Sequence, residues 1–177
     1  MPVDNARPAI APSDKVHEVV VVDWTVADYQ TLIAGMDPGI PVIVLQPGQS
    51  GLSGLADALS DYRNLDAIHL VTEGQGGAIQ LGLHWVNDAA INAKPADVQA
   101  IGNALKAGGD LMLYGCSVAY GDAGQKFIDD LSGMLGDVDV SASTDKTGPT
   151  HLGGDWDLEY SIGIIETVLP FTLQGMQ

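Results

Sequence analysis

The chain has a single cysteine, few basic residues and no long hydrophobic run among its 177 residues. One cysteine excludes an internal disulfide, so the cysteine content leaves the redox compartment open. Seven Lys and Arg residues against 23 Asp and Glu residues give a net charge of −16. That charge repels nucleic acid and anionic lipid, so we expect neither as a partner. No apolar run approaches the roughly 18 residues that span a bilayer, and we expect no membrane insertion and no cleaved signal.

Hydrophobic residues make up 46% of the sequence, which is enough for one domain with a sizeable core. The first 17 residues instead combine three prolines with small and polar residues, a composition typical of a flexible segment. We therefore expect a flexible leader over residues 1–18, a folded domain over 19–166 and a linker or tail over 167–177.

From Val19 onward, β-branched runs alternate with segments of helical spacing, a pattern that indicates β-α-β units and a mainly parallel sheet. Strands are predicted at 19–22, 41–45, 67–71, 111–114 and 138–143, with a small additional strand at 78–83. Helical periodicity is centred on 26–33, 52–59, 95–105 and 127–135. Residues 156–160 and 162–165 alternate like a C-terminal antiparallel hairpin. The prediction is an α/β fold, a three-layer α/β/α sandwich with about five or six strands.

The cysteine, Cys116, follows the apolar run LMLY with one residue, Gly115, between them, and such a run is typical of a buried strand. Glu73 follows the run AIHLV in the same way, with Thr72 between them. Because neighbouring parallel strands lie about 4.8 Å apart, we expect Cys116 and Glu73 to meet above the sheet edge. A histidine there would accept the thiol proton, whereas a carboxylate disfavours the thiolate by like-charge repulsion. The pair therefore predicts a nucleophile position without its usual base.

Four strings carry a resemblance to a known family: LDAIHLVTEGQGGAIQLG, GGDLMLYGCSVAYGDAGQKFIDDL, VSASTDKTGPTHLGGDWDLE and DWTVADYQTLIAGM. Together they resemble a bacterial domain of unknown function that stands near the N-terminus of very large secreted or surface proteins. In those proteins cadherin-like, immunoglobulin-like or calcium-binding RTX repeats often follow. The resemblance covers roughly residues 19–166. It implies a secreted or cell-surface location, with a cytoplasmic one left open, and downstream repeats or a protein or peptide as partner.

That family is in turn similar to the caspase-fold cysteine peptidases, which include caspases, gingipains and legumains. In those enzymes one strand ends in a His-Gly pair, and the adjacent parallel strand ends in the catalytic cysteine. The matching positions here are Glu73-Gly74 and Gly115-Cys116. The resemblance implies a caspase- or gingipain-like fold with Cys116 as nucleophile and Glu73 at the altered base position. It also implies substrate contacts from Gly74, Gly115, Ser143 and Asp145.

Two histidines are candidates to replace the missing base. His69 lies four residues before Glu73 on the same predicted strand, where a hydrogen-bonded core histidine is the simpler interpretation. His84 follows the glycine-rich loop, and neither histidine sits at the strand end that the geometry requires. His17 and His151 are interpreted as surface residues. The sequence contains no calcium-loop or phosphate-loop motif, so we expect no metal and no cofactor.

The function predicted from these observations is that of a degenerate cysteine-peptidase-like module, non-catalytic because its base position is altered. It would stand at the N-terminus of a large secreted or cell-surface adhesin-type protein and act in interaction, export or anchoring. The alternative is an active, self-processing cysteine endopeptidase with Cys116 as nucleophile. A third possibility is a small-ligand domain that uses the crevice at the strand ends, where α/β folds usually bind ligands.

Overall fold

The computed structural model describes residues 17–172 and Met176, and forms nine strands and five α-helices from them. In chain order these are β1 (Glu18–Asp23), α1 (Tyr29–Ala34), β2 (Val42–Leu45), α2 (Gly51–Ala58), β3 (Leu65–Val71), β4 (Gly74–Gln75), β5 (Ala78–Leu81), β6 (His84–Val86), α3 (Asp88–Ala93), α4 (Pro95–Asn103), β7 (Leu105–Tyr114), α5 (Gly121–Leu135), β8 (Val138–Ala142) and β9 (Tyr160–Ile162). A 3₁₀ turn covers Thr150–Leu152. Most of the expected leader, 1–18, lies outside the described residues, but Glu18 belongs to β1.

Six strands form the central sheet, in the order β2-β1-β3-β7-β8-β9. The first five run parallel and β9 runs antiparallel to β8, so the prediction of a mainly parallel sheet is confirmed. The antiparallel C-terminal element is present as expected, but its strand is β9, which pairs with β8, and residues 156–159 form no strand. The indole of Trp156 packs against Tyr114 and Phe171, which takes this segment out of strand alternation.

The two faces of the sheet are covered by different kinds of structure. One face carries the large core, in which strand residues such as Val21 and Leu70 pack against apolar side chains of α2, α4 and α5. The other face is covered by α1 and by the extended segment 163–172, which we call the C-terminal strap. Of the three expected layers, the second outer layer is therefore one short helix and a non-helical segment.

The C-terminal strap is held to the sheet by a buried carboxylate. Asp110 is 2% exposed, and its Oδ2 accepts hydrogen bonds from the Glu166 and Thr167 amides and the Thr167 hydroxyl, at 3.0, 3.0 and 2.6 Å. Farther along, Phe171 forms an isolated antiparallel bridge with Met36. Residues 167–172 belong to the segment 167–177 that was expected to be a linker or tail, and within them Phe171 is buried against the domain.

The pairing of β3 with β7 contains one irregularity. Leu65 pairs with Leu105 and Ala67 with Asp110, so four residues of β7 lie opposite the single residue Asp66. The Gly108 amide in this bulge donates to the carbonyl of Asp137, at 2.8 Å, which ties the bulge to the start of β8. A bulge of this kind bends the strand and increases its local twist, and regular pairing resumes at Asp110.

A small antiparallel sheet, β4-β5-β6, packs beside the carboxyl ends of β1 and β3. Asp23, fully buried at the end of β1, holds it in place: its Oδ2 accepts from the Gly82 amide at 2.7 Å. Its Oδ1 accepts from the amide and hydroxyl of Thr25. Asp23 therefore serves as a structural link between the two sheets.

Candidate functional site

The parallel pairing of β3 with β7 brings Glu73 and Cys116 together. Val71 pairs with Tyr114, and the Thr72 amide donates to the Tyr114 carbonyl at 3.2 Å. Glu73 stands two residues after Val71, and Cys116 stands two residues after Tyr114. Both side chains are half-buried and line one cavity at the carboxyl edge of the sheet. This edge is where parallel α/β sheets place their sites.

Gly74 and Gly115 permit the two strand ends to approach closely. A methyl group at Gly74 would lie 2.5 Å from Val118 Cγ2 and 2.8 Å from the Cys116 carbonyl oxygen. One at Gly115 would lie 3.0 Å from the same Val118 atom. These contacts explain the two glycines by packing alone, whatever contact they make with a ligand.

The cavity has a volume of about 690 Å³ and lies between the sheet and α1. Its floor includes Val71 and Tyr114, and its far wall is the turn that follows β8. Other lining residues come from the segment around α1, from the turn and from the strap: Val26, Asp28, Leu32, Gly35, Thr147, His151, Leu152, Trp156 and Thr172. The cavity is thus mainly apolar, with Glu73 and Cys116 at one side.

The sulfur of Cys116 contacts a carbonyl oxygen. Its S–H donates to the Thr147 carbonyl at 3.6 Å. Among the described residues no imidazole hydrogen-bonds to this sulfur. A carbonyl oxygen is a hydrogen-bond acceptor only, so the thiol is the donor in this contact, and the contact provides no group that would take the thiol proton in catalysis.

The loop after β8 supports the loop after Cys116 through backbone hydrogen bonds. The Ser117 amide donates to the Asp145 carbonyl at 2.6 Å, and the Ala119 amide to the Ser143 carbonyl at 2.9 Å. The Ser143 hydroxyl is buried and bonds to Asp145. Neither Ser143 nor Asp145 is among the residues that line the cavity. The structure thus gives these two residues a supporting position, and the substrate contacts that the resemblance implies for them stay a prediction.

His69 lies inside the core, away from the sulfur. Its side chain is fully buried, with Nε2 2.9 Å from Glu18 Oε1 and Nδ1 3.2 Å from the Tyr114 hydroxyl. It pairs with Met112, four residues before Cys116, so about 13 Å of strand separates it from the thiol. The structure places His69 as a hydrogen-bonded core residue, and it cannot serve as the base.

The remaining histidines differ in their relation to the site. A side chain at Gly51, the first residue of α2, would contact the ring of His84, which places His84 beside that helix start. His151 is exposed as expected, but it also lines the cavity that holds Cys116. Of the histidines in the described residues, His151 alone shares the cavity with the thiol.

Three carboxylates near the site could hold a cation. Asp145, Asp155 and Glu159 each place an oxygen within 4.8 Å of the others. Glu159 Oε2 already accepts from the amide and hydroxyl of Thr144. Oxygen ligands suit Ca²⁺, but acidic side chains also cluster at surfaces without an ion, and Asp145 and Glu159 are exposed.

Tyr114, which contacts His69 in the core, should make the folded protein less stable at high pH. Burial, and to a smaller extent the charge of Glu18, raises the pKa of Tyr114. Because the folded pKa lies above the unfolded value of about 10, this stabilisation is complete below that pH and is lost above it. Above about pH 10 we expect the free energy of unfolding to fall by up to about 1.4 kcal/mol for each pH unit.

Urea denaturation at successive pH values, with Tyr114→Phe as the comparison, measures this effect. The variant keeps the ring but cannot ionise, so its unfolding free energy should fall less steeply above pH of about 10. Identical slopes for the two proteins would show that Tyr114 does not titrate with unfolding.

Sequence reasoning missed the wall of the cavity opposite the sheet. Thr147, His151 and Trp156 all follow β8, and the carboxyl ends of parallel strands lie at one edge. That rule placed Asp145 near the site and could equally have included Thr147 and His151. Nothing in the sequence indicated that Trp156 would leave the strand pattern to pack on Phe171.

Comparison with known proteins identifies the family of the chain. None of the helices within residues 17–172 combines the length and apolar character needed to cross a membrane. No curated protein matches the sequence. A family model described as Domain of unknown function (DUF4347) matches residues 19–177, nearly the whole chain, and the chain therefore belongs to that family.

Proposed function

We propose that this domain is a degenerate cysteine-peptidase-like module that binds a peptide segment without cleaving it. In this proposal the fold is of the caspase or gingipain type. The domain stands at the N-terminus of a large secreted or cell-surface adhesin-type protein. There it acts in interaction, export or anchoring, with downstream repeats or another protein as its partner.

The contact that carries the proposal is the hydrogen bond from Cys116 Sγ to the Thr147 carbonyl at 3.6 Å. A nucleophilic thiol needs a neighbouring group that takes its proton or stabilises its anion. Here the Thr147 carbonyl accepts the hydrogen bond from the sulfur, and the Glu73 carboxylate lines the same cavity. Neither group supplies the positive charge by which an imidazolium stabilises a thiolate.

The lining of the cavity favours a peptide as ligand. Apolar side chains such as Val71, Tyr114 and Trp156 would cover apolar groups of a bound segment. Carboxylates of Asp28 and Glu73 also line the cavity, in a chain of net charge −16. A segment with a basic side chain next to an apolar one matches this surface.

Restoring the imidazole tests whether the site is degenerate. In Glu73→His we expect Cys116 to react with iodoacetamide about tenfold faster or more, because an imidazolium next to the sulfur stabilises the thiolate. Gln75→His is the matched control, since it places the same side chain on the exposed side of β4. Labelling is followed by mass spectrometry of intact protein, with Cys116→Ala as the blank.

Two outcomes contradict the proposal. One is equal labelling of wild type and Glu73→His, which would mean that Glu73 does not occupy the base position. The other is peptide cleavage by the wild type that disappears in Cys116→Ala, which would establish an active enzyme.

An active cysteine endopeptidase is the second candidate, and the position of His151 favours it. His151 and Cys116 line the same cavity, and His151 lies on the turn whose Thr147 contacts the sulfur. If the imidazole took the thiol proton, the thiolate would attack a peptide carbonyl, and the C–N bond would break as the imidazolium gave its proton to the leaving amine. Water would then hydrolyse the thioester and release the acyl group as a carboxylic acid, with the thiol regenerated. Loss of cleavage in His151→Ala, with His84→Ala unaffected, would identify this candidate.

A further inference from the structure

The two edges of the central sheet differ in charge. The edge strand β9 is surrounded in sequence by carboxylates: Asp155, Asp157, Glu159 and Glu166. The edge strand β2 lies within residues 38–56, a stretch without a single charged residue. In a chain of net charge −16, β2 is therefore the edge that a second copy can approach with less repulsion.

The outer side of β2 offers a short, defined set of backbone groups. Val20 pairs with Val42, and its amide donates to the Pro41 carbonyl at 2.9 Å, so Pro41, Ile43 and Leu45 face β1. Val42 and Val44 therefore direct their N–H and C=O groups away from the sheet. Within the described residues the Val44 carbonyl accepts from the Gln46 side chain at 3.3 Å, and it has a second lone pair.

Local hydrogen bonds close both ends of this segment. The Ile40 amide donates to the Asp37 carbonyl, and the Gln46 amide donates to Gln49 Oε1, each at 3.1 Å. Only Val42 and Val44 are left with outward amides between these two points. The same segment of a second copy, running antiparallel, can pair with these amides in one register. In that register Val42 lies opposite Val44 of the copy, and Val44 lies opposite Val42 of the copy.

We propose that β2 is a self-association edge, at which two copies of this chain pair antiparallel through Val42 and Val44. The pairing forms four backbone hydrogen bonds and joins the two sheets into one. Val42, Ile43 and Val44 are half-buried apolar residues, and the edge lacks the lysine or inward charge by which sheets usually block such pairing. The inference does not depend on what the cavity binds.

Amide exchange measured by NMR at low and high protein concentration tests the pairing. The Ile43 and Leu45 amides bond within the sheet and should be protected at every concentration. The Val42 and Val44 amides should exchange rapidly in dilute protein and become protected as concentration rises. Protection that is independent of concentration at Val42 and Val44 would overturn the proposal.

Sedimentation equilibrium of Val44→Pro provides the second measurement. Proline removes the outward amide but leaves the bonds to β1, so two of the four bonds across the interface are lost and the dimer dissociation constant should rise about tenfold or more. Val44→Ala, which keeps the amide, is the matched control. Added salt should strengthen the wild-type dimer by screening its like charges. A wild type that stays monomeric, or equal constants for the two variants, would overturn the proposal.

Discussion

Replacing Asp110 by alanine is expected to lower the free energy of unfolding by about 3 kcal/mol or more, because three hydrogen bonds to a buried carboxylate are lost at once. The carboxylate is 2% exposed, and its Oδ2 atom alone holds the amides of Glu166 and Thr167 and the Thr167 hydroxyl. Without it, the start of the C-terminal strap loses these three hydrogen bonds to the sheet. Urea denaturation of the two proteins measures the difference.

Asp66→Ala is the control for this experiment. Asp66 lies opposite the bulge in β7, but its carboxylate is 45% exposed and pairs with Lys106 at 2.8 Å. Exposed ion pairs contribute little, so we expect a much smaller change. Equal losses in the two variants would mean that the strap is not anchored by Asp110. Faster proteolysis within 163–172 in Asp110→Ala alone would locate the effect.

Gly124→Ala and Gly133→Ala, two changes in the same helix α5, are expected to alter stability in opposite directions. A methyl group at Gly124 would lie 2.4 Å from the Ala119 carbonyl carbon and 2.7 Å from the Val118 oxygen, both backbone atoms that cannot turn aside. We expect this variant to lose about 3 kcal/mol. A methyl group at Gly133 meets nothing within 4 Å. Alanine there should add up to about 1 kcal/mol through helix propensity.

The same pair of variants connects α5 with the candidate site. Gly124 allows the first turn of α5 to pack against residues 118–119, which directly follow Cys116 and Ser117. Displacing that loop should also weaken the contact between Cys116 and Thr147. The rate at which iodoacetamide labels Cys116 should therefore change in Gly124→Ala and stay the same in Gly133→Ala. Thermal unfolding with equal midpoints for both variants would contradict the expected packing.

The parallel core of the fold could be predicted from the sequence because its strands are continuous apolar runs. Val19–Val22 is such a run, and its shortness and β-branched residues are typical of a parallel strand that is buried on both faces. The strands β4 and β6 were missed because two or three residues are too few to show alternation. The helix α3 was missed for a similar reason, since Ile91 is its one buried residue.

The site could be predicted in part. The adjacency of Glu73 and Cys116 follows from parallel strands of similar buried length, and the structure places both at one cavity. The Thr147 carbonyl could not be foreseen, because a backbone acceptor carries no signature in the side-chain sequence. The burial of His69 against Glu18 and Tyr114 depends on which strand lies beside which, and that is a property of the whole sheet.

The bulge in β7 is set apart from the residues that position the thiol. Residues 106–109 do not continue the extended strand, because Gly108 has a φ of 72° and its amide bonds to Asp137 outside the pairing with β3. The residues from Asp110 to Tyr114 keep their own pairing with β3, and that pairing places Cys116 at the cavity. Shortening the bulge by one residue should therefore be absorbed within 106–109 and leave the reactivity of Cys116 unchanged.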